Sequence, residues 1–165
     1  MGSSDRNKTV EFILSASSKA DLEKVVANNG RFELRVSDFK TLMGCEWLND
    51  VVINAYMDLI CQYYLTKSRK NIDHIDSLIF ERILRPGVGS SIAVELIMKH
   101  QNIFEKEFIV IPVHRCHHWC LATIDVTKKS VNYYDGLRGT QGGYFDTILS
   151  LLDTCYEHHY QGFQK

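Results

Sequence analysis

The chain has 165 residues, of which 45% are hydrophobic and 24% are charged, and its formal net charge is −1. This length and composition predict one globular domain with a hydrophobic core. A net charge near zero supplies no basic field for nucleic acid, and no apolar run is long enough to span a membrane. We therefore expect neither a nucleic-acid partner nor a membrane partner.

The first part of the chain predicts a series of short elements. Residues 1–19 are polar and serine-rich, which indicates a loose N-terminal lead-in, and residues 20–165 form the predicted domain. Residues 20–27 predict a short helix that ends at the turn sequence Asn28-Asn29-Gly30. Alternation of apolar and polar side chains over residues 32–36 then predicts a half-buried strand.

A long helix is predicted next. Asn49 or Asp50 supplies its N-terminal cap, and the polar run 66–71 marks its end. Apolar side chains recur at helical spacing between these limits, which predicts one wide buried face. The side chains of this face are Leu48, Val52, Ala55, Tyr56, Leu59, Ile60 and Tyr63.

The spacing of apolar residues changes from helical to strand-like in the second half of the chain. Segments 108–113, 120–126 and 130–134 predict three strands, and a tight turn at 127–129 joins the last two. Apolar residues at helical spacing over 144–156 predict a closing helix. Together these elements predict an α+β domain with a small mixed sheet flanked by helices.

The segment HRCHHWC, residues 114–120, is dense in side chains that bind metals or transfer protons. Structural zinc sites usually combine a Cys-x-x-Cys knuckle with a distant second pair of ligands, and the sequence contains no such knuckle. The segment therefore leaves three hypotheses: a zinc site, a plain β-hairpin with scattered polar residues, and a catalytic site. We expect no bound metal.

His118 and Asp135 are the residues that favour the catalytic hypothesis. His118 begins one predicted strand and Asp135 follows the next, and antiparallel pairing places such positions side by side at one edge of a sheet. A carboxylate beside an imidazole fixes its tautomer and stabilises its charged form, as in the base that activates a nucleophilic thiol or hydroxyl. The alternative is a surface ion pair without function.

Three segments together resemble the SUMO-specific, or sentrin-specific, cysteine proteases. They are EWLNDVVINAYMDLI at 46–60, VIPVHRCHHWCLATID at 110–125 and VNYYDGLRG at 131–139. The resemblance implies a papain-like fold and a peptidase or isopeptidase that processes or deconjugates SUMO after Gly-Gly. It also implies SUMO or SUMO-conjugated proteins as partners, no cofactor, and a nuclear location, with a cytoplasmic one as the alternative.

The resemblance further implies roles for single residues. It makes His118 the catalytic base and Asp135 the acid that orients it. The implied substrate-binding residues are Trp47, Asp50, His114 and Trp119. Trp47 and Trp119 would hold the Gly-Gly tail of SUMO between two indole faces, where only glycine fits because it has no side chain. Asp50 would touch the body of SUMO, and His114 would line the site.

The nucleophile is the point at which the sequence departs from the family pattern. The family carries it in an Asp-Cys-Gly motif well after the aspartate, and the 165 residues contain no such motif. Cys120 lies in a predicted strand and Cys155 in a predicted helix, so neither is a convincing substitute. We expect a partial catalytic domain that lacks the nucleophile-bearing segment and is inactive alone. The alternative is a pseudo-protease that binds a ubiquitin-like protein without cutting it.

Overall fold

The fold combines helices with two antiparallel or mixed sheets. The structure is a computed structural model that describes residues 3–84, 92, 95, 97, 103–115, 117–137 and 143–161. The chain divides into two compact units, Met1–Tyr56 and Met57–Lys165. Within the described residues, no helix has both the length and the apolar character that a membrane span requires.

The first unit contains three short helices and a two-stranded hairpin. In chain order they are α1 (Ser3–Ser15), α2 (Lys19–Leu22), β1 (Val25–Asn28), β2 (Glu33–Arg35) and α3 (Val36–Lys40). Ile13 and Ala16 pack with Val36 in its small hydrophobic core. Within the segment 1–19, where a loose lead-in was expected, residues Ser3–Ser15 form a helix whose Ile13 is buried.

A strand stands where part of a helix was expected. The predicted helix at 20–27 extends only over α2, which Ser18 caps by accepting a hydrogen bond from the backbone N–H of Asp21 at 3.1 Å. The chain then enters β1, which pairs antiparallel with β2. Val25 and Val26 are β-branched and favour a strand once a partner strand is available, and tertiary pairing overrides the local helical spacing.

The long helix α4 (Asp50–Ser68) begins where its cap was predicted. The side-chain oxygen of Asn49 accepts a hydrogen bond from the backbone N–H of Val52 at 3.0 Å. The predicted wide buried face is only partly correct. Val52 and Ala55 are buried, but four of the predicted side chains are exposed, namely Leu48 at 38%, Tyr56 at 60%, Leu59 at 52% and Tyr63 at 58%.

A four-stranded mixed sheet forms the centre of the second unit. Its strands are β3 (Ile72–His74), β4 (Phe108–Arg115), β5 (His118–Asp125) and β6 (Ser130–Tyr134), in the order β3-β4-β5-β6. β3 pairs parallel with β4, whereas β4–β5 and β5–β6 pair antiparallel. The three strands predicted from the sequence are therefore confirmed, and β3 is an additional strand that the sequence argument missed.

One face of this sheet carries the main hydrophobic core. Helices α5 (Ser77–Leu84) and α6 (Tyr144–Gln161) and the 3₁₀ turn Ile103–Glu105 contribute to it. Alternate strand residues point into it, as the pleat requires. The fully buried members include Phe80, Ile109, Ile111, Val113, Ala122 and Ile148. The predicted α+β class is confirmed.

Candidate active site

The segment HRCHHWC forms the end of a hairpin rather than one continuous strand. Arg115, at the end of β4, pairs with His118, at the start of β5. His117 in the turn between them has φ of 60°, in the left-handed region that tight turns use. The hairpin therefore places His114 on β4 and both His118 and Cys120 on β5, with His118 as the first residue of that strand.

His118 and Asp135 form a direct hydrogen bond. The Nε2 atom of His118 lies 2.8 Å from Oδ1 of Asp135, and their side chains are 26% and 12% exposed. Asp135 follows the last residue of β6, so antiparallel pairing of β5 with β6 brings the two together. The backbone N–H of Leu137 donates to the same carboxylate oxygen at 2.8 Å and holds it in place. The predicted contact is confirmed.

This hydrogen bond selects the tautomer of the imidazole. A carboxylate only accepts hydrogen bonds, so Nε2 of His118 carries a proton and donates it to Asp135. In the neutral ring, Nδ1 then has the lone pair that can accept a proton. The geometry therefore suits a general base whose Nδ1 faces the reacting group while Nε2 is held by the acid.

Cys120 lies close to this pair. Its sulfur, a ring nitrogen of His118 and a carboxylate oxygen of Asp135 all lie within 4.8 Å of one another. Cys120 is 8% exposed and belongs to the hydrophobic core. It lies on the same face of β5 as His118, because positions two apart on a strand point to the same side.

Tyr133 and Tyr144 contact the strands that carry the His118–Asp135 pair. Burial raises the pKa of the Tyr133 hydroxyl, and a hydrogen bond between this hydroxyl and Cys120 raises that pKa further. The rings of Tyr133 and Tyr144 stack at 5.8 Å and 8°, and the guanidinium of Arg115 lies 5.2 Å from the Tyr144 ring centre. These contacts connect α6 to β4 and to β6.

Trp119 and His114 pair on the other face of the hairpin. They are register partners between β4 and β5, and their rings lie 4.7 Å apart at 40°. Trp119 follows His118 directly, so the two side chains point to opposite faces of the sheet. Trp119 is half-buried and His114 is exposed. Their roles in substrate binding stay predictions.

Trp47 and Asp50 belong to the first unit. Trp47 is 68% exposed, and Asp50 is the first residue of α4. The side-chain amide of Asn49 donates to Oδ1 of Asp38 at 2.8 Å, which ties the start of α4 to α3. This bond fixes the backbone on which Trp47 and Asp50 stand. The face-to-face arrangement of Trp47 with Trp119 stays a prediction.

The described residues also form a cavity and bury a thiol that are not part of the His118–Asp135 site. A cavity of about 490 Å³ lies along α4 and strands β3 to β5, and Ile60, Tyr64, Ile72, Phe108 and Val110 contribute to its lining. Neither His118 nor Asp135 lines it. Cys155 on α6 is fully buried, and burial raises its pKa to about 11, so its thiol is poorly suited to act as a nucleophile.

Comparisons with known proteins agree with the geometry. Residues 46–162 match the Ulp1 protease family, C-terminal catalytic domain. The human protein sentrin-specific protease 2 is 34% identical over 142 residues, which cover 78% of this chain and 23% of that protein. A solved structure of the SUMO protease Ulp1, with its catalytic cysteine oxidised to a sulfinic acid, has a TM-score of 0.67 at 27% identity. It covers 98% of this chain and 68% of the solved one.

A second solved structure shows the same fold. The Ulp1 protease domain in complex with SMT3, the yeast ortholog of SUMO, has a TM-score of 0.69 at 24% identity, with 98% of this chain and 68% of that chain covered. The chain spans less than a quarter of the length of its human relative. The family match nevertheless covers more than half of the chain, and the predicted resemblance is confirmed: this chain belongs to the Ulp1 protease family.

Proposed function

We propose that this chain supplies the base and the orienting acid of a cysteine-type peptidase that cleaves after the Gly-Gly end of SUMO. The observation that carries the proposal is the 2.8 Å hydrogen bond between His118 and Asp135 in a chain of this family. The solved Ulp1 complex with SMT3 supports SUMO, or a SUMO-conjugated protein, as the partner. A nuclear location is part of the same proposal.

In this mechanism the imidazole first accepts a proton and then donates it. A cysteine thiol gives its proton to Nδ1 of His118, and the thiolate attacks the carbonyl carbon of the terminal glycine. The imidazolium then delivers the proton to the leaving amine, which is a lysine side chain or a peptide nitrogen. Asp135 keeps the ring oriented and stabilises its positive charge throughout. No metal or organic cofactor takes part in these steps.

The nucleophile of this proposal is neither Cys120 nor Cys155. Cys155 is buried and its pKa is raised to about 11, so very little thiolate is present near neutral pH. Cys120 is 8% exposed and hydrogen-bonded to Tyr133, which leaves little room for a substrate carbonyl. The 165 residues contain no Asp-Cys-Gly motif, so we expect no peptide-bond cleavage by these residues alone.

A pseudo-protease is the second candidate function. A pseudo-protease would keep the binding surface and hold a ubiquitin-like protein without cutting it. Both functions predict binding of SUMO, and only the first predicts hydrolysis by the full-length gene product. Cleavage therefore separates the two functions, whereas binding does not.

The test is cleavage of a SUMO–fluorophore conjugate by the full-length gene product. We expect hydrolysis, and we expect His118→Ala to lower kcat by about a thousandfold or more, since the base is lost. Asp125→Asn is the matched control, because Asp125 is an acid at the other end of β5 that pairs with Lys128 at 3.2 Å. Full activity of the His118→Ala protein would contradict the assignment, and binding without hydrolysis would support the pseudo-protease.

A further inference from the structure

A second group of potential ligands lies away from the His118–Asp135 pair. Cys61 on α4 and Asp73 and His74 on β3 all belong to the second unit. The sulfur of Cys61, a carboxylate oxygen of Asp73 and a ring nitrogen of His74 lie within 4.8 Å of one another. Because β3 is the edge strand opposite β6, this group is separated from the catalytic pair by the width of the sheet.

We propose that Cys61, Asp73 and His74 bind a divalent zinc ion that ties α4 to β3. Thiolate, carboxylate and imidazole are the three side-chain ligand types that zinc uses in proteins. Zinc–ligand bonds of about 2.0 to 2.3 Å place tetrahedral ligand atoms roughly 3.3 to 3.8 Å apart. The observed group therefore has to contract by at most about 1.5 Å, which side-chain rotations provide.

Burial favours a site with three protein ligands and one water. Cys61 is 7% exposed and His74 is fully buried, so both donors lie in a medium that strengthens their interaction with a cation. The side chain of Asp73 is 22% exposed and gives solvent access to the remaining position. In the bound state the thiolate and the carboxylate balance the two positive charges of the ion.

The neighbours of Asp73 hold its carboxylate in place. The ammonium group of Lys106 lies 3.2 Å from Oδ2, and the backbone N–H of His74 donates to Oδ1 at 2.8 Å. The Nδ1 atom of His74 lies 3.9 Å from the same Oδ1 atom. Lys106 contacts Oδ2, and Oδ1 keeps a second lone pair beside the hydrogen bond from His74, with which it can bind the ion. Such outer contacts are what orients a ligand before a metal binds.

This proposal departs from the expectation of a metal-free chain. That expectation rested on the missing Cys-x-x-Cys knuckle, and no motif links Cys61 on a helix with the neighbours Asp73 and His74 on a strand. The ion would stabilise the fold rather than take part in hydrolysis. Because binding occurs only in the folded state, it should raise the melting temperature.

The test is a titration of the chelator-treated 165-residue chain with Co²⁺, which is a spectroscopic probe for zinc sites. We expect stoichiometric binding with a near-ultraviolet thiolate-to-cobalt charge-transfer band that Zn²⁺ removes. Cys61→Ser should abolish this band, and Asp73→Asn should weaken binding by about tenfold or more. Cys120→Ser is the matched control, since Cys120 belongs to the other three-ligand group of the described residues, and it should keep the band.

Two results would overturn the proposal. One is a wild-type titration without a thiolate band, and the other is a band that persists in Cys61→Ser and disappears in Cys120→Ser. Because substitutions of buried residues can unfold a protein, a second measurement uses the folded wild type alone. Excess Zn²⁺ should raise its melting temperature, whereas a melting temperature unchanged by Zn²⁺ would also contradict the site.

Discussion

The tautomer of His118 depends on a single contact. Asp135 accepts from Nε2, and replacement by asparagine allows the amide to donate instead, which selects the wrong tautomer. We expect Asp135→Asn in the full-length gene product to lower kcat for a SUMO–fluorophore substrate by about a thousandfold or more, with little change in KM. Activity within a few-fold of wild type would show that Asp135 is only structural.

We expect Trp119 to contribute to binding of the substrate's tail rather than to binding of its body. Its ring is half-buried and lies 4.7 Å from the ring of His114 at a tilt of 40°, and this contact orients the indole. We expect Trp119→Ala to weaken binding of a Gly-Gly-ended SUMO to the chain by about tenfold. Binding of a tail-deleted SUMO should change little. Calorimetric titrations with both ligands make the comparison, and equal losses would assign Trp119 to packing alone.

Cys155 should resist alkylation while Cys45 reacts. The pKa of Cys155 is raised to about 11 by burial, so at pH 8 only about one such thiol in a thousand is ionised. Cys45 is exposed and serves as the internal control. We expect mass spectrometry after iodoacetamide treatment to find label at Cys45 long before Cys155. Reactivity of Cys155 should rise only as the pH approaches 11, and equal labelling at pH 8 would contradict its burial.

At the scale of elements, the start of α4 depends on Asn49. This side chain accepts from the backbone N–H of Val52 and donates to the buried carboxylate of Asp38. We expect Asn49→Ala to lower the free energy of unfolding by about 1 to 3 kcal/mol, because a cap is lost and a buried acceptor loses a partner. Urea unfolding measures the change.

The control for this change is Gln62→Ala on the same helix. Gln62 is exposed, and its side-chain amide donates to the carboxylate of Asp58 at 2.7 Å. Surface pairs of this kind contribute little, so the control should shift stability by no more than about 0.5 kcal/mol. If the two substitutions had equal effects, Asn49 would not be the residue that anchors the helix.

The strands were predicted better than the helices. The segments 108–113 and 130–134 fall in β4 and β6 because long apolar runs and tight turns are local signals. The helix predicted at 20–27 became a strand after Leu22, since pairing with β2 decides that region. Helical spacing located α4 but did not show which of its apolar side chains stay exposed, because spacing does not identify the packing partner.

At the scale of the whole molecule, the contact of His118 with Asp135 was predictable from hairpin topology alone. The approach of Cys61 to Asp73 and His74 was not, because it joins a helix to a strand that the sequence argument did not identify. A contact across neighbouring antiparallel strands follows from register, whereas a contact between a helix and a strand requires the packed fold. The second site could therefore be found only in the structure.

An apolar stripe along α4 predicts self-association. Leu59 and Tyr63 are each more than half exposed and lie four positions apart, so they form one surface of α4 in the second unit. Exposed apolar patches of a few hundred square ångströms favour association in soluble proteins. We expect the 165-residue chain to form oligomers as its concentration rises, measured by sedimentation velocity. The double change Leu59→Glu with Tyr63→Glu should shift it towards monomer, because ionised carboxylates resist burial.

The matched control is the double change Val10→Glu with Leu14→Glu on α1, where the two side chains are 54% and 55% exposed in the first unit. It adds the same type of charge outside the stripe, so association should persist if the stripe is the contact surface. The comparison also separates a specific surface from net charge, since any acidic substitution makes a chain with a net charge of −1 more soluble. A wild-type chain that stays monomeric at every concentration would contradict the prediction. Equal loss of association in the control would assign the effect to charge alone.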